Sequence, residues 1–214
     1  ETLNMLEKAV KPGVTTVELD KLAENFIRKH NAVPSFKGYG GFPASICTSV
    51  NEEVIHGIPS SSKVLHEGDI LSIDCGAILN GYQGDAARTF PVGKISEEAA
   101  KLIKVTKESF FKGAEKAVVG NRLTDISHTV QEYIEGFGYG VVRDYVGHGI
   151  GKEMHEDPEV PNYGRPGRGP KLVHGMMLAI EPMVDIGTYR VKTQSNNWTV
   201  VTLDGSLAAH YENT

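Results

Sequence analysis

Residues 64–92, VLHEGDILSIDCGAILNGYQGDAARTFPV, hold two strand-forming runs on either side of Asn80-Gly81. Asn-Gly suits a two-residue type I′ turn because both residues tolerate positive φ, so the stretch is predicted to be a β-hairpin. Such a turn pairs Leu79 with Tyr82 and, counting outward, Gly76 with Asp85. Side chains alternate along a strand, so Asp74 shares a face with Gly76 and becomes the diagonal neighbour of Asp85. Diagonal positions lie roughly 7–8 Å apart, a gap that two carboxylates can close around a shared ion, and Gly76 is expected to leave the space between them empty. The run Ile70-Leu71-Ser72-Ile73-Asp74-Cys75 is apolar enough to be buried on both faces. Two acids side by side there lose hydration and repel, and a cation relieves both penalties.

On the N-terminal side, residues 2–10 put Leu3, Leu6 and Val10 on one helical face before Pro12-Gly13 stops the helix. Thr15 or Thr16 can cap a second helix, in which Leu19, Leu22, Ala23, Phe26 and Ile27 recur at helical spacing to about His30-Asn31. Residues 34–43, PSFKGYGGFP, read as a loop forming a pocket wall, and 44–50 and 53–58 as strands. Beyond the hairpin, helices are expected at about 96–118 and 123–136, then short strands between Gly- and Pro-rich turns.

An internal repeat organises these elements. Aligning Gly13 with Gly120, an offset of 107 residues, places Leu19, Phe26 and Ile27 on Ile126, Tyr133 and Ile134. The same offset pairs Gly68 with Gly175, Ile73 with Ile180 and Asp74 with Glu181, so LHEGDILSID and LVHGMMLAIE look like two copies of one strand. His56-Gly57-Ile58 also echoes His148-Gly149-Ile150, at an offset of 92. Two similar halves are therefore expected, each supplying an acid to a site at their junction, where ligand clefts often lie.

The later half supplies the remaining donors. Glu181 ends an apolar run before Pro182, Glu212 follows the alternating Leu207-Ala208-Ala209-His210-Tyr211, and His148 sits among glycines that allow close approach. Two Asp, two Glu and one His favour Mn, Fe or Co, with catalytic Zn left open. Five side chains, some bridging, suit two ions about 3.5–4 Å apart, which activate water and clamp an oxyanion.

The bulk properties leave room for this reading and close off others. A chain of 214 residues can bury one sizeable core, so a single catalytic domain over 1–214 is expected. A net charge of −5 with no dense Lys/Arg stripe gives no sign of a nucleic-acid or anionic-membrane partner. No secretory leader and no run of 18 apolar residues appears. Cys47 and Cys75 are too few for a disulfide scaffold, so a soluble protein of the reducing cytoplasm is expected.

The strings SVNEEVIHGIP, GDILSIDCGAILNGYQGDAARTF, GHGIGKEMHEDP, AIEPMV and DGSLAAHYENT resemble the bacterial-type (type I) methionine aminopeptidases of the pita-bread fold, over nearly the whole chain. The resemblance implies an α+β fold: a pseudo-twofold repeat of two halves, with a central antiparallel sheet flanked by helices. It implies that Asp74, Asp85, His148, Glu181 and Glu212 hold two divalent ions (Co, Mn, Fe or Zn), Asp85 and Glu212 bridging. It further implies hydrolysis after an N-terminal methionine, with a metal-bound water as nucleophile and Glu181 as general base. His155 would stand near the scissile carbonyl and His56 near the substrate amide, although each alone reads as a surface or hydrogen-bonded histidine. Tyr39, Phe42, Cys47, His56, Met154, His155 and Trp198 match positions that bind substrate. Cys47 could equally be a small buried hydrophobe, and Trp198 core. The expected partners are Met-initiated peptides and nascent chains, with transient ribosome contact and a monomeric state.

Several features depart from the family pattern. Met154 replaces a common aromatic, Ile55 stands where many relatives have cysteine, and Ala208 occupies an often-serine position near a monovalent-cation site, so Na or K is expected near Asn51. The chain reads as trimmed at both ends, which makes Glu212 the ligand expected to be least secured. A proline-directed pita-bread peptidase would carry an added N-terminal domain, and a non-catalytic member would have lost ligands. A type II enzyme would insert a subdomain between Glu181 and Glu212, which are 31 positions apart here.

Overall fold

A computed structural model describes residues 1–214. The N-terminal half opens with helix α1 (Thr2–Glu7) and α2 (Thr16–Lys29). α1 stops short of the expected residue 10 because Ala9 and Val10 both bond back to the Leu6 carbonyl in a tight turn. Thr15 is the N-cap of α2, and its backbone N–H and hydroxyl both donate to Glu18 at 2.7 Å. A cap of this kind contributes about 1 kcal/mol. Leu19, Ala23 and Ile27 form the buried stripe of α2, each large side chain adding about 1.5–3 kcal/mol by leaving water.

Five strands follow: β1 (Val33–Pro34), β2 (Cys47–Val50), β3 (Glu53–Ile55), β4 (Ile70–Leu79) and β5 (Tyr82–Pro91). The β4–β5 hairpin has the register read from the sequence, Leu79 on Tyr82 and Gly76 on Asp85. Asn80 (φ 53°) and Gly81 (φ 81°) supply the two positive-φ turn positions. β2 begins at Cys47 rather than residue 44 because the carboxylate of Asp20 takes the N–H groups of Ser45 and Ile46 (2.8 and 3.1 Å). β3 ends at Ile55 rather than residue 58, since His56 adopts φ 57° and turns the chain.

The C-terminal half repeats the plan with α3 (Glu97–Ala114) and α4 (Leu123–Glu135), then eight short strands. These are β6 (Gly140–Val141), β7 (Gly147–Gly149), β8 (Glu156–Val160), β9 (Leu178–Ala179), β10 (Met183–Asp185), β11 (Val191–Thr193), β12 (Val200–Thr202) and β13 (Ala208–His210). Ser96 caps α3 by accepting the Ala99 N–H. The helix ends at Ala114, not 118, because Lys116 and Ala117 bond back only three residues. All strand pairing is antiparallel. The central sheet comes as four patches, in the orders β1-β4-β2 with β5 on β4, β13-β10-β6, β11-β12-β3 and β8-β7-β9. One apolar cluster packs α1 and α2 on the hairpin, and another packs α3 and α4 on β10 and β13.

The 107-residue repeat is visible bond by bond. The Thr15–Val64 bridge recurs as Arg122–Lys171. The Gly13 N–H to Leu65 carbonyl bond recurs from Gly120 to Leu172, and Leu65 to Val14 recurs as Leu172 to Asn121. Arg122 N–H donates to Asp125 as Thr15 does to Glu18. All four repeat glycines lie in the left-handed region, Gly13 at φ 89°, Gly120 at 96°, Gly68 at 97° and Gly175 at 88°. The halves join where Glu212 and Ala87 exchange backbone bonds of 3.0 and 3.3 Å.

Candidate active site

The junction carries the acids. Asp74 and Asp85 reach it from the hairpin. Glu181 lies between β9 and β10, where Pro182 prevents continuous pairing, rather than within a strand. The Ile180–Asn213 bridge and the Met183–His210 pair set Glu181 opposite Glu212. Glu212 is tied more firmly than its position near Thr214 suggests. Its backbone pairs with Ala87, Arg88 donates to its carbonyl, Thr214 pairs with Asp85, and the residue is 1 % exposed. Four carboxylates thus converge, one pair from each half.

Burial and mutual repulsion dominate their electrostatics. Burial, then the charges of Asp85 and Glu181, hold the Asp74 carboxyl well above its ordinary range. Burial pushes Asp85 up to about 7 against the lowering effects of hydrogen bonds from Asp74 and Ala86. Glu181 and Glu212 are raised well above the usual value by burial first and then by neighbouring acids. Asp74 Oδ1 and Glu212 Oε1 are shielded and have no hydrogen-bond partner.

Histidines face this cluster. His148 Nδ1 is 2.8 Å from the Gly149 carbonyl, so it carries the proton and Nε2 presents a lone pair, 3.6 Å from Glu181 Oε1. His155 lies with its ring 4.3 Å from that of His148, and its Nδ1 is 2.7 Å from the Tyr39 hydroxyl. His56 contacts Tyr145 edge-on at 5.8 Å, and burial, helped by His155, pushes its pKa down to about 4. His56 is therefore neutral at pH 7.

The cavity above the acids measures about 170 Å³. It gathers all five metal-set residues together with Tyr39, Phe42, Cys47, His56, Met154, His155 and Trp198. One further lining residue, Phe36, lies in the 34–43 loop, which forms the pocket wall as its sequence predicts. Its signal was its place among the aromatics of PSFKGYGGFP. Phe42 and Trp198 meet edge-on at 5.1 Å, and the half-buried Trp198 both packs on a small apolar cluster and lines the cavity. Cys47 is 4 % exposed, and burial, then Asp74 and Asp85, hold its thiol far above the usual value, so it stays protonated.

The model of metallopeptidase family M24 matches residues 1–214. The chain belongs to metallopeptidase family M24. It is 87 % identical to the methionine aminopeptidase of Clostridium acetobutylicum over 214 residues, covering all of this chain and 86 % of that one. It is 68 % identical to the methionine aminopeptidase of Clostridium perfringens, again over the full chain and 86 % of the relative. The crystal structure of methionine aminopeptidase from Rickettsia prowazekii superposes with a TM-score of 0.96 at 46 % identity, covering 99 % of this chain and 85 % of that one. The pita-bread architecture of M24 is thus the fold of this protein.

The donor set fits the ions that an M24 peptidase requires. Donor atoms of Asp85, His148 and Glu212 all lie within 4.8 Å of one another, and the orphaned oxygens of Asp74 and Glu212 want a partner. Four acids cannot all be ionised in this volume without cations. Asn51, where a monovalent ion was expected, is already engaged. Its amide donates to Asp69, its side-chain oxygen accepts the Ile70 N–H, and its carbonyl accepts the Ala208 N–H.

One expectation from the sequence needs correction in this M24 site. Gly76 does not leave an empty space between Asp74 and Asp85. A Cβ there would meet Phe36, Met154 and Ser35 at 2.8–2.9 Å, so the apolar wall already fills the position. Glycine lets that wall sit directly on the acid floor. Gly76→Ala is therefore expected to push Phe36 and Met154 into the cavity and raise KM for a methionyl peptide about ten-fold, consistent with overpacking of about 1–3 kcal/mol. An unchanged KM would show that the wall yields freely.

Proposed function

We propose that this chain is a methionine aminopeptidase, hydrolysing the peptide bond after an N-terminal methionine. The observation that carries the reading is one cavity in which an acid and histidine floor meets a soft apolar wall of Phe36, Phe42, Cys47, Met154 and Trp198. Aromatic and sulfur groups suit an unbranched thioether, and a cavity of about 170 Å³ has room for one side chain.

In this reading Asp74, Asp85, His148, Glu181 and Glu212 would hold two divalent ions, Mn, Fe, Co or Zn. When bound, the ions lower the pKa of water and act as Lewis acids toward the scissile carbonyl. Glu181 takes the proton from the attacking water and returns it to the leaving amine. His155 donates to the oxyanion, and neutral His56 hydrogen-bonds the substrate amide. Tyr39, at the cavity rim, lines the methionine pocket with Phe42, Cys47, His56, Met154 and Trp198.

The reading extends to a small second residue in the substrate, nascent chains met transiently at the ribosome, and a monomeric cytoplasmic protein forming a single domain over 1–214. No helix is long and apolar enough to cross a membrane. A Na or K ion near Asn51 would have to share the carbonyl that already accepts from Ala208.

The test is release of methionine from Met-Ala-Ser by metal-free protein after addition of Mn, Co or Fe, with an Xaa-Pro peptide as comparison. Methionine release without Xaa-Pro cleavage is expected. No turnover with any of these ions would sink the enzyme reading, and preferred Xaa-Pro cleavage would reassign the substrate.

A further inference from the structure

The loop between Ser35 and Phe42 is anchored on the side that precedes Tyr39 and closed by its own backbone on the other. Ser35 donates to Gln83 at 2.7 Å, and Lys37 pairs with Glu24 at 2.6 Å. Phe42 N–H closes back on the Tyr39 carbonyl at 2.9 Å, and Gly38 N–H on the Phe42 carbonyl at 2.8 Å. Gly38 (φ 87°) and Gly41 (φ 89°) make this tight path possible. It projects Tyr39 over the cavity mouth, with its hydroxyl 2.7 Å from His155 Nδ1 and the two rings 5.4 Å apart. That is the only hydrogen bond the His155 ring makes within the protein.

The tautomer of a neutral imidazole is set by whatever bonds its other nitrogen. A phenol O–H can donate, and a lone pair on Nδ1 can accept, leaving the proton on Nε2. A histidine that bonds an oxyanion must offer N–H on the side facing it. We propose that Tyr39 is a positioning residue, whose hydroxyl donates to His155 Nδ1 and fixes the tautomer that presents Nε2–H to the scissile carbonyl oxygen. This rests on the aminopeptidase reading above. The anchors at Ser35 and Lys37, with the backbone closure at Phe42, give the loop its role: they keep the phenol in place before substrate arrives, which preorganises His155.

Tyr39→Phe keeps the ring and removes only the donor. On Met-Ala-Ser it should lower kcat about five-fold, the scale of one net hydrogen bond, with KM within about two-fold. In a His155→Ala background the same change should cost nothing more, because the two residues act through one bond. In zinc-loaded protein, imidazole nitrogen NMR should show His155 protonated at Nε2, and a mixture of both tautomers after Tyr39→Phe. An equal loss of kcat in both backgrounds, or an unaltered His155 tautomer, overturns the proposal. If the unsubstituted protein releases no methionine with any ion, the aminopeptidase reading falls separately, while the nitrogen spectra still decide whether Tyr39 sets the tautomer.

Discussion

Asp85→Ala protein binds at most one divalent ion per chain and releases methionine from Met-Ala-Ser about 10²- to 10⁴-fold more slowly, the scale of removing several kcal/mol of transition-state charge stabilisation. Asp85 sits opposite Gly76 and diagonal to Asp74, and its carboxylate also lies among the donor atoms of His148 and Glu212. Asp85 and Glu212 are the two acids that link the hairpin to the C-terminal half, Glu212 through its backbone pairing with Ala87 and Asp85 through its carboxylate. The variant should still fold. The Asp85 backbone keeps its bonds to Thr214, and the lost side chain is a 7 % exposed acid whose pKa burial pushes up to about 7. Metal-free variant should therefore melt no lower than metal-free parent, which separates loss of ions from loss of fold. Two ions still bound per chain, measured by elemental analysis after gel filtration, would show that Asp85 is not needed to hold either ion.

Much of this site was legible because its logic is local or periodic. Asn80-Gly81 determines its turn chemically, the turn sets the register, and the register puts Asp85 on Gly76. The repeat was legible for a similar reason, since positive-φ glycines must recur wherever a bend recurs, as Gly13 and Gly120 do. What stayed hidden depends on contacts between distant segments. Nothing near Gly76 announces that Phe36 and Met154, far away in the chain, will occupy its missing side-chain space. The early end of β3 lay in the φ of His56, a strained choice for a non-glycine residue that the sequence pattern cannot display. The security of Glu212 was missed because proximity to a chain end says nothing about pairing, here supplied by Ala87 and Arg88. The Tyr39–His155 bond spans 116 positions and joins two loops with no regular period to read.

Metal-free and metal-loaded protein should respond to pH with opposite signs. In the metal-free protein, Asp74, Asp85, Glu181 and Glu212 all have carboxyls raised by burial, Asp85 to about 7, and Asp185, buried beside β13, is raised to about 8. A carboxyl raised on folding binds protons more readily in the native state. Its stabilising contribution is complete below the unfolded value near 4 and is lost as pH rises through the folded value. Between pH 8 and pH 6.5 these acids act together, so lowering pH should stabilise the metal-free fold by several kcal/mol, on the order of 10 °C in Tm. Below 6.5 the histidines oppose them. His56 and His210 are pushed down by burial to about 4 and about 3, and His148 and His155 are lowered as well. The unfolded chain then gains protons that these buried rings refuse, so the rise in Tm should flatten. Bound ions reverse the slope in the first window, because they hold Asp74, Asp85, Glu181 and Glu212 ionised and protons compete with them, leaving only Asp185 to favour low pH. Calorimetric melts with chelator and with excess Mn, at pH 8, 6.5 and 5.5, test both signs. Metal-free protein that is most stable at pH 8 would mean that the four acids are not crowded without ions, and the electrostatic case for a two-ion site would fail with them.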